Sequence, residues 1–295
     1  AVAAWMYGVM AGINPDEAQP GYRHILLKPV TDERIDYVKA SVDTRHGTVA
    51  SSWERKDGKI VINGQKTFIT GAAEYPYMLV LARDPKCEDP KLAFSLFWVD
   101  AKAPGVKINP LHKIGWHLVS TCEVYLDNVV VEEKDMVGEE GKGFLNVMYN
   151  FEMERLINAS RCTGFAECAF EDAARYANQR IAFGKPIGFN QMIQEKLALM
   201  KVKCMNMRHL VLSCAVQADR KESMRETAAL AKLYCARTAL EVIDDAIQIM
   251  GGLGYTNDAR VSRLWRDVRC ERIGGGTDEI MIYIAGRQIL KAFRD

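Results

Sequence analysis

Apolar and polar residues alternate along the first half of the chain, and a longer repeat takes over in the second. Thr48-Val49-Ala50-Ser51-Ser52-Trp53 and Ile60-Val61-Ile62 flank Lys56-Asp57-Gly58-Lys59. Asp-Gly tolerates the positive φ of a type I′ turn, so the pattern predicts a hairpin. Tyr37–Val42 precedes it across a turn at His46-Gly47, and Asn63-Gly64 predicts another turn after Ile62. Further strands are expected over Tyr77–Ala82, Leu92–Val99, Val106–Ile108 and Glu123–Val131. Residues 1–12 read as the end of a buried helix. Residues 13–35 read as loop, punctuated by Pro15, Pro20, Gly21 and Pro29.

After Gly143 the period becomes that of a helix. Ile193, Leu197, Met200, Cys204, Met207, Val211 and Cys214 are spaced 4-3-4-3-4-3. This seam predicts a helix over 191–218 packed lengthwise against others. Phe165, Cys168, Ala169, Ala173 and Tyr176 line one face of another helix. Residues 225–250 and 278–293 supply two more, and 143–160 begins the set, for about five helices in all.

Composition narrows the function classes. The 295 residues carry 39 basic and 38 acidic side chains, a formal net charge of +1, with 48% hydrophobic residues. No basic excess points to nucleic acid or an anionic membrane surface. No apolar run is long enough to span a bilayer. The eight cysteines form no C-x-x-C pair and read as buried free thiols of a cytoplasmic protein, with no metal site. The first residues lack a starting Met and read as the interior of something longer.

Four segments carry candidate chemistry. Gly251-Gly252-Leu253-Gly254 follows a helix ending Gln248-Ile249-Met250. One glycine would cap that helix, whereas three suggest a backbone that something approaches closely. Gly274-Gly275-Gly276-Thr277-Asp278-Glu279 reads equally as a flexible turn and as an anion site at a helix N-terminus. Arg180–Ile187 reads by itself as a helix terminator ending in Pro186. Asn150–Leu156 contains Glu152 and Glu154, two apart and so not on one face, which fits a charged helix surface.

In this order, and with Asn63–Gly71, His112–Trp116, Asp127–Val129 and Val137–Phe144, these segments resemble the acyl-CoA dehydrogenase family over about 230 residues, from about Asn63 onward. Within it, Asn150–Arg161 and the triple-glycine turn are most similar to the crotonobetainyl-CoA reductases of bacterial carnitine metabolism. The resemblance implies an α+β architecture: an antiparallel β domain followed by a C-terminal helical bundle, with the family's N-terminal helical domain missing. It implies FAD, an acyl-CoA substrate such as crotonobetainyl-CoA or γ-butyrobetainyl-CoA, an electron-transferring flavoprotein, and a homodimer or homotetramer sharing flavin between subunits.

The resemblance also assigns residues. Many members place the base just before the Gly-Thr of the final loop, and here that position is Gly275, without a side chain. Others place a Glu before an Arg on a bundle helix, which makes Glu154 the catalytic base. Arg155 then steers the carboxylate or holds the loop, and Glu152 matches an acidic position near the CoA arm. Phe68 and Thr70 match the segment against the isoalloxazine ring. Arg180 and Phe183, with Gln248, Gly251 and Gly252, match flavin contacts that cross to a neighbouring subunit. Thr277 and Glu279 match contacts on the adenosine side.

The start of the chain resembles a different family. Gly12–Ile25 and Tyr37–Ile60, including Thr44–Val49 and Trp53, look like the C-terminal part of a bacterial α-L-rhamnosidase. The expected organisation is rhamnosidase-like helix end and linker over 1–35, a β domain over 36–135, and a helical bundle over 136–295. Within the β domain, 36–61 are rhamnosidase-like strands and 62–135 an incomplete dehydrogenase middle domain. This reads as a fused or mis-assembled frame. Asp16 and Glu17 are adjacent and cannot flank a glycosidic bond. An active flavoenzyme, one inactivated by truncation, a glycoside hydrolase remnant and a non-enzymatic helical interaction module remain open readings.

Overall fold

The computed structural model describes residues 59–294, together with the backbone of four short segments before them: 13–15, 25–27, 41–44 and 47–56. The expected helix end at 1–12 and the linker residues outside these strands lie outside the described residues. The chain forms two compact units that meet in sequence at residues 149 and 150.

The first unit is built of antiparallel strands. β1 (Ile13–Pro15) and β2 (Ile25–Leu27) pair with each other inside a stretch expected to be loop. β3 (Ser41–Thr44), β4 (Gly47–Lys56), β5 (Lys59–Thr70), β8 (Val106–Pro110) and β9 (Thr121–Glu132) form one sheet in the order β3-β4-β5-β9-β8. β6 (Tyr77–Arg83) and β7 (Phe94–Asp100) form a second. Lys56 pairs with Lys59, so the Asp57-Gly58 hairpin expected from the sequence closes in the predicted register. Ile60, Ile62, Val124, Val129 and Val131 from the large sheet share one core with Val80, Phe97 and Val99 from the small one. The alternating pattern buries one face of the large sheet, while the small sheet also buries Leu81, Phe94 and Leu96 in a separate cluster.

Asn63-Gly64 corrects one expectation. It is no turn: β5 runs through it, and the register against β9 shifts between Ile62 and Gly64. The extra residue belongs to β9, where Asn128 takes a left-handed φ of 52°. The buried Asn63 side chain holds that bulge, accepting from Asn128 N at 2.7 Å and donating to Asn128 Oδ1. A one-residue insertion flips the faces. Accordingly Cys122, Val124 and Leu126 point inward before the bulge, and Val129 and Val131 after it.

The second unit is helical. α1 (Gly143–Gln179), α2 (Gln191–Asp219), α3 (Thr227–Met250), α4 (Arg260–Glu271) and α5 (Asp278–Ala292) are its five described helices, α1 starting in the first unit. The seam read from the sequence is on α2: Met200, Cys204, Met207 and Cys214 are buried, and Ile193, Leu197 and Val211 pack against them. Ala159, Cys162, Ala166, Ala169, Ala173 and Ala177 form a stripe of small buried residues on α1 that lets neighbouring helices come close. α3 is the central helix, with apolar residues such as Ala228, Cys235, Val242 and Ile243 buried around its circumference.

Two expectations change here. The helices read as 143–160 and around Phe165–Tyr176 are one continuous α1, because no proline interrupts it and Gly164 alone does not break a packed helix. α4 is absent from the sequence reading. Its apolar residues Val261, Leu264 and Val268 recur at helical spacing, but arginines separate them and hide the pattern. The eight cysteines form no disulfide, and the expectation that all are buried is corrected. Five are buried, Cys87 and Cys168 are half-buried, and Cys270 is exposed.

Candidate functional site

In the β unit, a second bulge falls between Lys66 and Ile69, this time with the extra residue on β5. It drives Phe68 into a left-handed backbone with φ of 64° and leaves its ring 66% exposed. A bulky residue at positive φ is strained, and such strain is kept where surrounding structure imposes it. Thr70 is exposed two residues on, before Gly71, whose φ of 76° and close approach to the Tyr75 ring leave no room for a Cβ. Behind the bulge, Lys66 is buried and donates to the Leu81 carbonyl at 3.0 Å. Burial pushes its ammonium well below the usual lysine range.

In the helical unit, Glu154 is half-buried on α1 and faces the triple-glycine turn before α5. A Cβ on Gly275 would lie 3.4 Å from Glu154 Oε1 and 2.3 Å from Asn158 Nδ2. Gly275 and Gly276 both hold positive φ, so the turn is one that other residues adopt only with strain. The two base positions that the family resemblance offered, the turn and the helix, therefore adjoin one point in space. Burial raises the Glu154 carboxyl above the usual carboxylate range, opposed by the charges of Arg155, Arg161 and Lys232.

The surroundings of Glu154 include residues that sequence reasoning missed. Arg161 on α1 donates to both oxygens of the buried Glu271 on α4, at 3.1 and 2.8 Å, and to Asn158 Oδ1 at 2.6 Å. Lys232 on α3 is buried and its Nζ donates to the Gly276 carbonyl. Asp278, the first residue of α5, is buried and accepts from Arg237 and Arg272 through Oδ2, while its Oδ1 has no hydrogen-bond partner. Lys232 had a legible signal, a lone charge within Ala228-Ala229-Leu230-Ala231-Lys232 on a core helix.

The remaining candidates are distributed elsewhere on the unit. Arg155 is buried, with its guanidinium 5.9 Å from the centre of the Phe151 ring and its Nε without a partner. Glu152 points differently from Glu154 and accepts from Met224 N at 3.2 Å. The segment after α1 is more than a helix terminator: Arg180 leads into β10 (Ile181–Ala182), which pairs with β11 (Lys185–Pro186). Phe183 and Gly184 form its tip with φ of 52° and 80°, the signs of a type I′ turn, and the Phe183 ring is fully exposed. Gln248 is exposed at the end of α3, where Gly251 at φ of 59° caps the helix. Space is open beside Gly251 and Gly252, while Gly254 packs against the Ile247 carbonyl, so the third glycine is there for packing. Thr277 caps α5 by accepting from Ile280 N at 3.3 Å, and hydrogen bonding holds the Glu279 carboxyl low.

The chain is similar to known proteins over most of its length. Residues 141–290 match the model of the acyl-CoA dehydrogenase C-terminal domain, and 39–129 that of the acyl-CoA dehydrogenase middle domain. Residues 12–65 match the bacterial alpha-L-rhamnosidase C-terminal domain, so both resemblances cover 39–65. The probable acyl-CoA dehydrogenase YdiO of Escherichia coli K12 is 78% identical over 250 residues, 85% of this chain. The chain spans 65% of that relative's length. Butyryl-CoA dehydrogenase from Megasphaera elsdenii superposes with a TM-score of 0.76 at 33% identity, over 80% of this chain and 62% of that one. A chain of the electron-transferring flavoprotein structure from Acidaminococcus fermentans superposes with a TM-score of 0.78 at 30% identity, over 83% and 64%. The chain belongs to the acyl-CoA dehydrogenase family.

Proposed function

We propose that the chain is the flavin-binding and catalytic portion of an FAD-dependent acyl-CoA oxidoreductase in which Glu154 is the base. The observation that carries this is the approach of the Glu154 carboxyl to the triple-glycine turn, where position 275 has no side chain and Asn158 packs against its backbone beside Glu154. Glu154 takes the α-proton of the acyl thioester. Burial makes its carboxylate a stronger base, an effect that the charges of Arg155, Arg161 and Lys232 oppose. FAD, when bound, supplies the hydride acceptor.

The residues fit that group. A strained, outward-turned Phe68 and an exposed Thr70 hydroxyl offer a ring wall and a hydrogen bond. Arg180 and Phe183, Gln248, Gly251 and Gly252, and Thr277 and Glu279 offer charge, an exposed aromatic and open backbone to the pyrophosphate and adenosine. The exposed positions of Arg180 and Phe183 and of Gln248, Gly251 and Gly252 support contact with flavin held by another copy, in a homodimer or homotetramer. Glu152 and Arg155 belong to the CoA side of the same site.

An electron-transferring flavoprotein is the electron partner of this reading, and a cytoplasmic enzyme is its setting. No described helix is long and apolar enough to cross a membrane. Asn150–Arg161 and the glycine turn support crotonobetainyl-CoA as substrate within the broader acyl-CoA class. The match over 12–65 supports a second reading of that segment alone, as part of a rhamnosidase-type C-terminal domain.

Visible absorption of the purified chain tests flavin binding, and bleaching on adding butyryl-CoA or γ-butyrobetainyl-CoA tests chemistry and separates the two substrates. Glu154→Gln is expected to keep the flavin and to lose α-proton exchange in deuterated water by about 100-fold or more. Exchange at the unmodified rate in that variant overturns the assignment of the base.

A further inference from the structure

Lys232 sits in the interior of the helical unit, 1% exposed, on a helix face it shares with the buried Ala228, Ala229, Cys235 and Ala236. A buried ammonium is costly, and it is kept where its hydrogen bonds and charge have a task. Its Nζ donates to the carbonyl of Gly276. That carbonyl belongs to the turn whose preceding residue, Gly275, abuts Asn158 and Glu154. No side chain of its own holds the middle of the turn, because Gly274, Gly275 and Gly276 carry none, although Asp278 N donates to Arg272 O across it at 3.1 Å. Its two ends are anchored, by Gly274 N donating to Cys270 O at 2.8 Å and by Asp278 locked between Arg237 and Arg272. Lys232 supplies the tie in the middle.

We propose that Lys232 is a positioning residue that fixes the triple-glycine turn against Glu154 and so sets the wall and the charge environment of that carboxylate. This rests on the reading of Glu154 as the base. The groups facing Glu154 are Arg155 and Arg161 from α1, Lys232 from α3 and Glu271 from α4. Glu271 is paired with Arg161. Loss of the Lys232 charge therefore removes one of three cations and leaves the opposing carboxylate in place. Glu154 then ionises at higher pH, in the same sense as the burial effect already acting on it.

Two variants separate the tie from the charge. Lys232→Met removes both, and Lys232→Gln keeps a donor without charge. Amide hydrogen exchange is read on the purified full chain, independently of any activity. Exchange at 274–278 is expected to quicken about tenfold in Lys232→Met, the worth of one buried hydrogen bond, and to recover toward the unmodified rate in Lys232→Gln. In the pH profile of α-proton exchange, the acid limb is expected to move up by about one pH unit in both variants. Turn exchange within twofold of the unmodified rate in both variants overturns the proposal, as does protection lost evenly across all five helices, which is the mark of general packing. Quickened exchange at the turn together with undiminished α-proton exchange in Glu154→Gln leaves the tie standing and removes the base reading instead.

Discussion

Phe183 holds a left-handed backbone at the tip of a two-residue hairpin with its ring entirely in solvent. Neither feature stabilises the chain by itself: an exposed ring gains no burial, and a bulky residue at positive φ costs free energy. Asparagine tolerates that backbone. Phe183→Asn is therefore expected to leave the melting temperature of the chain unchanged or slightly raised. Its flavin retention, measured by absorption after gel filtration, is expected to fall about tenfold, the worth of one aromatic contact. A lowered melting temperature with undiminished flavin would assign Phe183 to the fold instead. Gly275 shows the converse at the same scale. An absent side chain is what makes room for Asn158 beside Glu154, and a motif read only for its polar residues passes over it.

At the scale of elements, α2 holds its place through the seam of Met200, Cys204, Met207 and Cys214. Met207 is fully buried, so truncation leaves a cavity among its neighbours on α1 and α3. Met207→Ala is expected to destabilise the chain by about 2 to 5 kcal/mol, read as a lowered midpoint in denaturant with an unchanged slope. The strands obey a different constraint. β5 and β9 carry one bulge each, on opposite strands, and each resets which alternating residues face the core. Asn63 looked like half of a turn because Asn-Gly is a common turn pair. In the sheet its side chain satisfies the left-handed Asn128 across the ladder, a pairing between residues 65 apart that no local pattern contains.

For the molecule as a whole, pH acts through its buried cations. Lys66 has a folded-state pKa well below the usual lysine value, so between the two values the unfolded chain binds more protons than the folded one. Stability then rises with pH across that window, and the penalty is fully present below it. Lys66→Met is expected to remove this term. Its stability should vary less with pH below the usual lysine value, losing a slope of up to about 1.4 kcal/mol per pH unit. An equal slope in variant and unmodified chain would mean that Lys66 stays charged in the folded state.

The amino-acid order by itself determined the α+β succession, the Asp57-Gly58 hairpin, the α2 seam and the glycine turns, because each is written in residues close along the chain. Hydrophobic period and glycine chemistry are local properties, and they survive whatever surrounds them. Only the tertiary structure decided that the 143–179 stretch is one helix, that Arg260–Glu271 is another, and that Glu154 and Gly275 adjoin. It also decided that Lys232 and Glu271 lie among the charges around Glu154. Those are distances between segments up to 121 residues apart in number, from 154 to 275, set by how small side chains allow helices to approach. Packing of this kind depends on every facing residue at once, and no single stretch of sequence carries it.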